Sequence, residues 1–136
     1  MDAAPAAPIY RLYCGVDIAA RSFCAAWLTP AGQPVPAKPF VQTPEDFTRF
    51  QTMLLEQHAV PSEILVVMEA TGTYWGALTS VLAHAGFAVN PVNPSQAHNF
   101  IKALPKRAKT DCLDAQALAL LAHALTPATW TPPPAI

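Results

Sequence analysis

Tyr10-Arg11-Leu12-Tyr13-Cys14-Gly15-Val16-Asp17-Ile18 is the stretch from which the fold can be predicted. It is rich in residues that favour β-strands, and an acidic residue, Asp17, lies near its end. We therefore predict a central strand. A second strand is predicted at residues 22–28. A third segment, residues 35–41, contains two prolines, which predicts a poor edge strand because proline has no N–H for the ladder. Together the three segments predict an antiparallel meander.

The second half of the chain alternates helices with buried strands. Thr43 followed by Pro44 is typical of a helix start. The apolar run at residues 64–68 is typical of a strand buried on both faces, and Glu69 closes it. The remaining predicted elements are a helix at 74–85, a strand at 87–89, a loop at 90–94, and helices at 95–104 and 111–125. Helices between strands predict right-handed crossovers, so we expect an α/β fold with a mixed sheet and helices on both faces.

Composition indicates one globular domain. The chain has 136 residues, and 52% apolar with 12% charged residues excludes a disordered chain. The formal net charge of −1 gives no global basic signal for nucleic acid. We expect a flexible Ala/Pro-rich tail at residues 1–9, a domain at 10–125 and a Pro-rich linker or extended arm at 126–136.

The sequence also bears on the cellular compartment. No run of about 18 apolar residues is present, so no membrane span is expected. Residues 1–9 lack the features of a secretory signal. The cysteines are Cys14, Cys24 and Cys112, and their odd number without a C-x-x-C pair predicts free thiols in a reducing cytoplasm.

Four acidic residues form the candidate site. Asp17 and Glu69 end apolar strands, and ligands of α/β sheets gather at the carboxyl ends of parallel strands. Asp111 and Asp114 are three residues apart and so share one side of a helix. Converging carboxylates suit hard divalent ions that act on phosphates. Taken singly, each acid also has a simpler interpretation: a turn aspartate, a helix-leading acid, or a helix cap.

Half of the chain's eight cations lie within residues 102–109, just before the acidic pair: Lys102, Lys106, Arg107 and Lys109. We predict that they bind a nucleic-acid backbone, and a solvated linker is the alternative. Two interpretations stay open for His98 and Asn99, as solvent-facing residues or as contacts to a phosphate. Tyr74 and Trp75 are expected to pack in the core or on a helix face rather than to stack on bases.

Several motifs together resemble those of a known family, and they are found at residues 13–19 (YCGVDIA), 69–74 (EATGTY), 92–94 (VNP) and 107–115 (RAKTDCLDA). In this order they resemble the N-terminal RuvC-like domain of the DEDD transposases of the IS110/IS1111 type, over roughly residues 11–125. The resemblance implies an RNase H-like fold and a metal site made by the quartet Asp17, Glu69, Asp111 and Asp114, with Mg²⁺ as the ion and Mn²⁺ as a substitute. It also implies a bacterial cytoplasmic recombinase that acts on DNA, is guided by an RNA and is a homo-oligomer at full length.

The resemblance also implies a missing part. The family continues into a C-terminal domain with a serine nucleophile, whereas this chain stops at Ile136. We therefore expect a chain that folds and binds metal and nucleic acid but does not recombine DNA alone. The alternatives are a stand-alone RuvC-like junction nuclease and a non-catalytic nucleic-acid-binding or assembly module. An actin-like ATPase half is disfavoured because the turn after Asp17 has no glycine to cradle phosphates.

Overall fold

The computed structural model describes residues 10–70, 72, 74–104 and 113–131. Within these ranges the strands are β1 (Leu12–Ile18), β2 (Ser22–Trp27), β3 (Lys38–Val41), β4 (Ile64–Glu69) and β5 (Ala88–Val92). The helices are α1 (Pro44–Gln57), α2 (Gly76–His84), α3 (Pro94–Ala103) and α4 (Leu113–Leu125), with a single 3-10 turn at Pro61–Glu63.

The five strands form one mixed sheet in the order β3-β2-β1-β4-β5. The pairs β1–β2 and β2–β3 are antiparallel, whereas β1–β4 and β4–β5 are parallel. An antiparallel meander thus precedes parallel strands, and β1 lies at the centre, as predicted. The α/β fold class is confirmed.

Helices cover both faces of the sheet, each over its own apolar core. On one face the core contains Val16, Met68 and the α1 stripe Phe47, Phe50 and Leu54. On the other face, Leu65 and Val67 of β4 pack in one cluster with Ala97 of α3 and with Leu118 and Leu121 of α4. Because β4 is buried on both faces, its sequence is a continuous apolar run instead of an alternating one.

Strand β5 is longer than predicted. The loop expected at residues 90–94 is instead strand up to Val92, and Pro91 is level with Met68 of β4. Proline is tolerated here because β5 is an edge strand, where a missing N–H interrupts no further ladder. Asn93 then caps α3, its side chain accepting a hydrogen bond from the Ser95 N–H at 2.8 Å.

Residues 126–131 follow α4 and cross the open edge of β5. The Trp130 N–H donates to the Val89 carbonyl at 2.7 Å, and the Asn90 side-chain amide donates to the Ala128 carbonyl. The Trp130 ring then meets Trp75 edge-on, with 5.8 Å between centroids. This segment therefore covers a sheet edge that would otherwise offer unpaired backbone groups.

Two expectations from composition can be compared with the structure. Cys14 is a buried free thiol, but the prediction of free thiols is wrong for Cys24, which is disulfide-bonded. Over the described ranges, no helix combines the length and apolar character needed to cross a membrane.

Helix α4 lies directly on the central strand because Gly15 has no side chain. A Cβ atom built at Gly15 would overlap the Ala115 carbonyl oxygen and the Ala119 backbone nitrogen. The facing helix residues are small, and Ala115, Ala119 and Ala122 are fully buried. Backbone therefore packs on backbone at this crossing, and the position of α4 along β1 is fixed.

We expect Gly15→Ala to lower the free energy of unfolding by at least about 2 kcal/mol, because overlap with helix backbone cannot be relieved by a side-chain rotation. Urea unfolding measures the change. Gly76→Ala is the matched control: its Cβ meets no atom of the described residues within 4 Å, so stability should stay within about 1 kcal/mol of the parent. Equal effects of the two substitutions would contradict the close packing of α4 on β1.

Candidate metal centre

The register of the two central parallel strands sets Asp17 beside Glu69. Val16 of β1 is level with Met68 of β4, so Asp17 and Glu69 are the next residue of each strand. Side chains alternate along a strand, and both acids therefore point to the face opposite Val16 and Met68. That face carries α3 and α4.

Helix α4 brings a third carboxylate to the same place. Asp114 precedes Ala115, whose carbonyl oxygen lies against Gly15 of β1, two residues before Asp17. The proximity has an electrostatic consequence. The pKa of the half-buried Asp17 is raised by burial first, and then by the negative charges of Asp114 and Glu69. The charges of Glu69 on β4 and Asp114 on α4 thus both act on Asp17 of β1.

Of the remaining predicted site residues, only one lies in the part of the chain that the structure describes. Asp111, Lys106, Arg107 and Lys109 lie outside the described residues. Lys102 is an exposed residue in the last turn of α3. Among the residues that the structure describes, no three His, Cys, Asp or Glu side chains form a group that could hold a metal ion.

The donor set nevertheless suits a divalent cation. Carboxylate oxygens are the ligands that Mg²⁺ and Mn²⁺ take in proteins. Burial and two neighbouring negative charges raise the energy of ionised Asp17, and a bound cation would offset both. Asp17, Glu69 and Asp114 therefore fit a metal by their chemistry.

Gln42 connects the two loops that follow the strand-end acids. Its side-chain amide donates to the Ala19 carbonyl at 2.7 Å and to the Tyr74 carbonyl at 3.4 Å. Its backbone N–H donates to the Arg21 carbonyl at 2.9 Å. Ala19 is two residues after Asp17, and Tyr74 follows Glu69. No sequence signal marked this residue, because the bridge joins segments distant in the chain.

A buried threonine supports β4 next to Glu69. The Thr79 hydroxyl is fully buried, donates to the Trp75 carbonyl at 2.6 Å and touches the Met68 sulfur at 2.8 Å. Trp75 packs against the core as predicted, and Trp130 covers it. Tyr74 lies outside the core, since it is 50% exposed.

Similarity to a solved structure defines the fold class. The structure of T. thermophilus RuvC in complex with a Holliday junction substrate matches with a TM-score of 0.53 over 82% of this chain and 92% of that chain. At 16% sequence identity, this likeness concerns the fold alone. The protein thus has the RuvC-like form of the RNase H-like fold.

Sequence comparison then gives the family. The model of the DEDD transposases of the IS110 type, described as "Transposase", matches residues 14–134, so the chain belongs to this family. The pilin gene-inverting proteins of Moraxella bovis and Moraxella lacunata are 31% and 30% identical over 122 residues. The match covers 90% of this chain but only 37% of each of those proteins. DEDD nucleases and RuvC-like proteins generally use divalent metal ions.

We expect Asp17→Asn to stabilise the metal-free chain at neutral pH. A carboxyl with a raised pKa is ionised less readily in the folded state, so wild-type stability falls as pH rises from the unfolded pKa of about 3.9 through the folded value. The variant should melt about 1–5 °C higher at pH 7 in EDTA. The difference should vanish below about pH 4, where the carboxyl is protonated in both states. Thermal melts at the two pH values measure it, and a gain of equal size at both would contradict the electrostatic origin.

We expect Gln42→Met to loosen the two strand-end loops, because methionine keeps the length but donates no hydrogen bond. Loss of two hydrogen bonds to backbone carbonyls should cost about 1–2 kcal/mol. It should also speed amide hydrogen exchange at Ala19 and Tyr74. Gln51→Met is the matched control, since the Gln51 side chain donates to the Phe47 carbonyl within its own helix. Faster exchange in the control but not in Gln42→Met would contradict the bridging role.

Proposed function

We propose that this chain is the N-terminal metal-binding DEDD domain of an IS110-type transposase and acts in DNA cleavage and strand exchange during transposition. One observation carries the proposal: in a chain of this family, Asp17 lies at a strand end in the combined field of Glu69 and Asp114. A stability-lowering cluster of like charges is typical of a functional site.

Each acidic residue has a defined part in this proposal. Asp17 and Glu69 would hold the metal from the sheet and Asp114 from the first turn of α4, and Asp111, which lies outside the described residues, would be the fourth ligand. Mg²⁺, or Mn²⁺ in its place, supplies charge stabilisation for phosphoryl transfer when bound. Gln42 keeps the loops behind Asp17 and Glu69 at a fixed separation.

The substrate and partners follow from the same proposal. The cations Lys102, Lys106, Arg107 and Lys109 bind the DNA backbone through charge, which makes binding dependent on salt. The serine nucleophile belongs to a further C-terminal domain. The full-length protein works as a homo-oligomer with a guide RNA in the bacterial cytoplasm, where its DNA substrate is found.

A second candidate function is that of a stand-alone RuvC-like junction nuclease. It is favoured by the coverage of the structural match, since this chain aligns with 92% of a RuvC chain. In that case the same carboxylates would act on branched DNA with water as the nucleophile, and no further domain would be needed.

Metal titration tests the shared part of both functions. Mn²⁺ at about 100 times its Kd should stabilise the wild-type chain by about 2.7 kcal/mol in thermal melts, because a ligand that binds only the folded state shifts the equilibrium. Asp17→Asn and Asp114→Asn should lose most of this effect. Glu45→Gln, which removes an exposed acid from the first turn of α1, should keep it. No stabilisation of the wild type would contradict the proposal and favour a non-catalytic binding module.

A cleavage assay then separates the two candidates. With Mn²⁺ and a four-way DNA junction, the proposal expects metal binding but no cleavage by this chain alone. Cleavage that Asp17→Asn abolishes would establish the junction nuclease instead. Strand transfer by this chain would contradict the assignment of the nucleophile to another domain.

A further inference from the structure

A cleft of about 380 Å³ opens between Glu69 and the first turns of α3. Its lining is formed by Glu69, Pro94, Ser95, His98 and Asn99. The volume lies within the range of about 300–1,000 Å³ typical of ligand sites. One wall is therefore a predicted metal ligand, and the other is a helix surface that carries His98 and Asn99, the two residues whose interpretation the sequence leaves open.

The helix wall is one exposed polar face of α3. Ser95, Asn99 and Lys102 are spaced four and three residues apart and so share one side of the helix, and His98 lies beside Asn99. All four side chains are exposed. Ala97 and Phe100 pack into the core, and this contact fixes which side of α3 faces the solvent.

The α3 face carries a positive charge, that of Lys102, and no negative charge. No acidic residue occurs at positions 70–110, so α3 carries hydrogen-bond donors and a lysine but no carboxylate. Hydroxyl, imidazole and amide groups near a lysine suit the oxygen atoms of a phosphodiester backbone. Because α3 has no carboxylate, this face alone is a poor site for a hard cation, and an exposed polar helix face offers little to an apolar ligand.

We propose that the α3 face formed by Ser95, His98, Asn99 and Lys102 binds the sugar-phosphate backbone of the DNA strand whose reacting phosphate lies at Glu69. The inference rests on the proposed function and adds to it the path of the substrate. The face runs from the cleft at Glu69 to Lys102 at the other end of α3. A strand that follows it places one phosphate at the carboxylates and the neighbouring phosphates on the helix.

Fluorescence anisotropy with a labelled single-stranded DNA oligonucleotide and the full chain tests this path. The double variant His98→Ala/Asn99→Ala should bind about 5- to 30-fold more weakly, as expected for two lost hydrogen bonds. Lys102→Ala should weaken binding for every DNA sequence and reduce the salt slope by about 1. Gln96→Ala is the matched control, because Gln96 is exposed on the same helix but does not line the cleft. It should bind as the wild type does.

Wild-type DNA affinity of both the double variant and Lys102→Ala would overturn the inference, and so would an equal loss in Gln96→Ala. A loss confined to an RNA oligonucleotide of the same sequence would overturn the choice of DNA. Mn²⁺ melts of the same variants keep the two proposals apart. If the variants keep both the Mn²⁺ stabilisation and the DNA affinity of the wild type, only the proposed DNA path along α3 is contradicted. If the wild type itself shows no Mn²⁺ stabilisation, the proposed function is contradicted.

Discussion

The close approach of α4 to β1 at Gly15 is the contact on which the rest of the structure depends. A glycine on the strand and fully buried alanines on the helix let two backbones touch, and a larger side chain at Gly15 would push the helix away. Asp17 is the residue before the last of the strand, and Asp114 lies in the first turn of the helix. Their separation is therefore set by backbone packing rather than by flexible side chains, which is what a site of converging carboxylates requires.

Such a site lowers stability before any cation binds. Asp17 is half-buried, and its raised pKa reflects burial and two like charges. The surrounding contacts resist the repulsion. Gln42 joins the loops after β1 and β4, and Thr79 ties α2 to Met68. Trp130 then covers Trp75 from across the sheet edge. Packing and hydrogen bonds far apart in sequence thus hold together charges that would otherwise separate.

Local pattern was enough to predict much of this fold, and contacts distant in sequence account for what it missed. The apolar run before Glu69 and the Thr43-Pro44 start of α1 specify their elements without help from the rest of the chain. Pro91 becomes a strand residue only because β5 is an edge, which is a property of the whole sheet. Gln42 has no motif, since its partners are defined by folding. The positions of the acids along the chain can be taken from the sequence. The raised pKa of Asp17 cannot, because it depends on burial and on Asp114 and Glu69, which only the fold brings near.

The distribution of charge explains how a chain of net charge −1 could bind a polyanion such as DNA. Positions 70–110 contain no acid, and they separate Asp17 and Glu69 in sequence from Asp111 and Asp114. The fold brings Asp114 back to Asp17 by laying α4 over β1, and α3, which belongs to the acid-free segment, lines the cleft at Glu69. Negative charge is thereby gathered at one point, where a cation can neutralise it. The adjoining helix presents polar side chains that can donate hydrogen bonds, together with Lys102, and it has no acid. Repulsion of phosphate is therefore confined to the place where a metal would remove it.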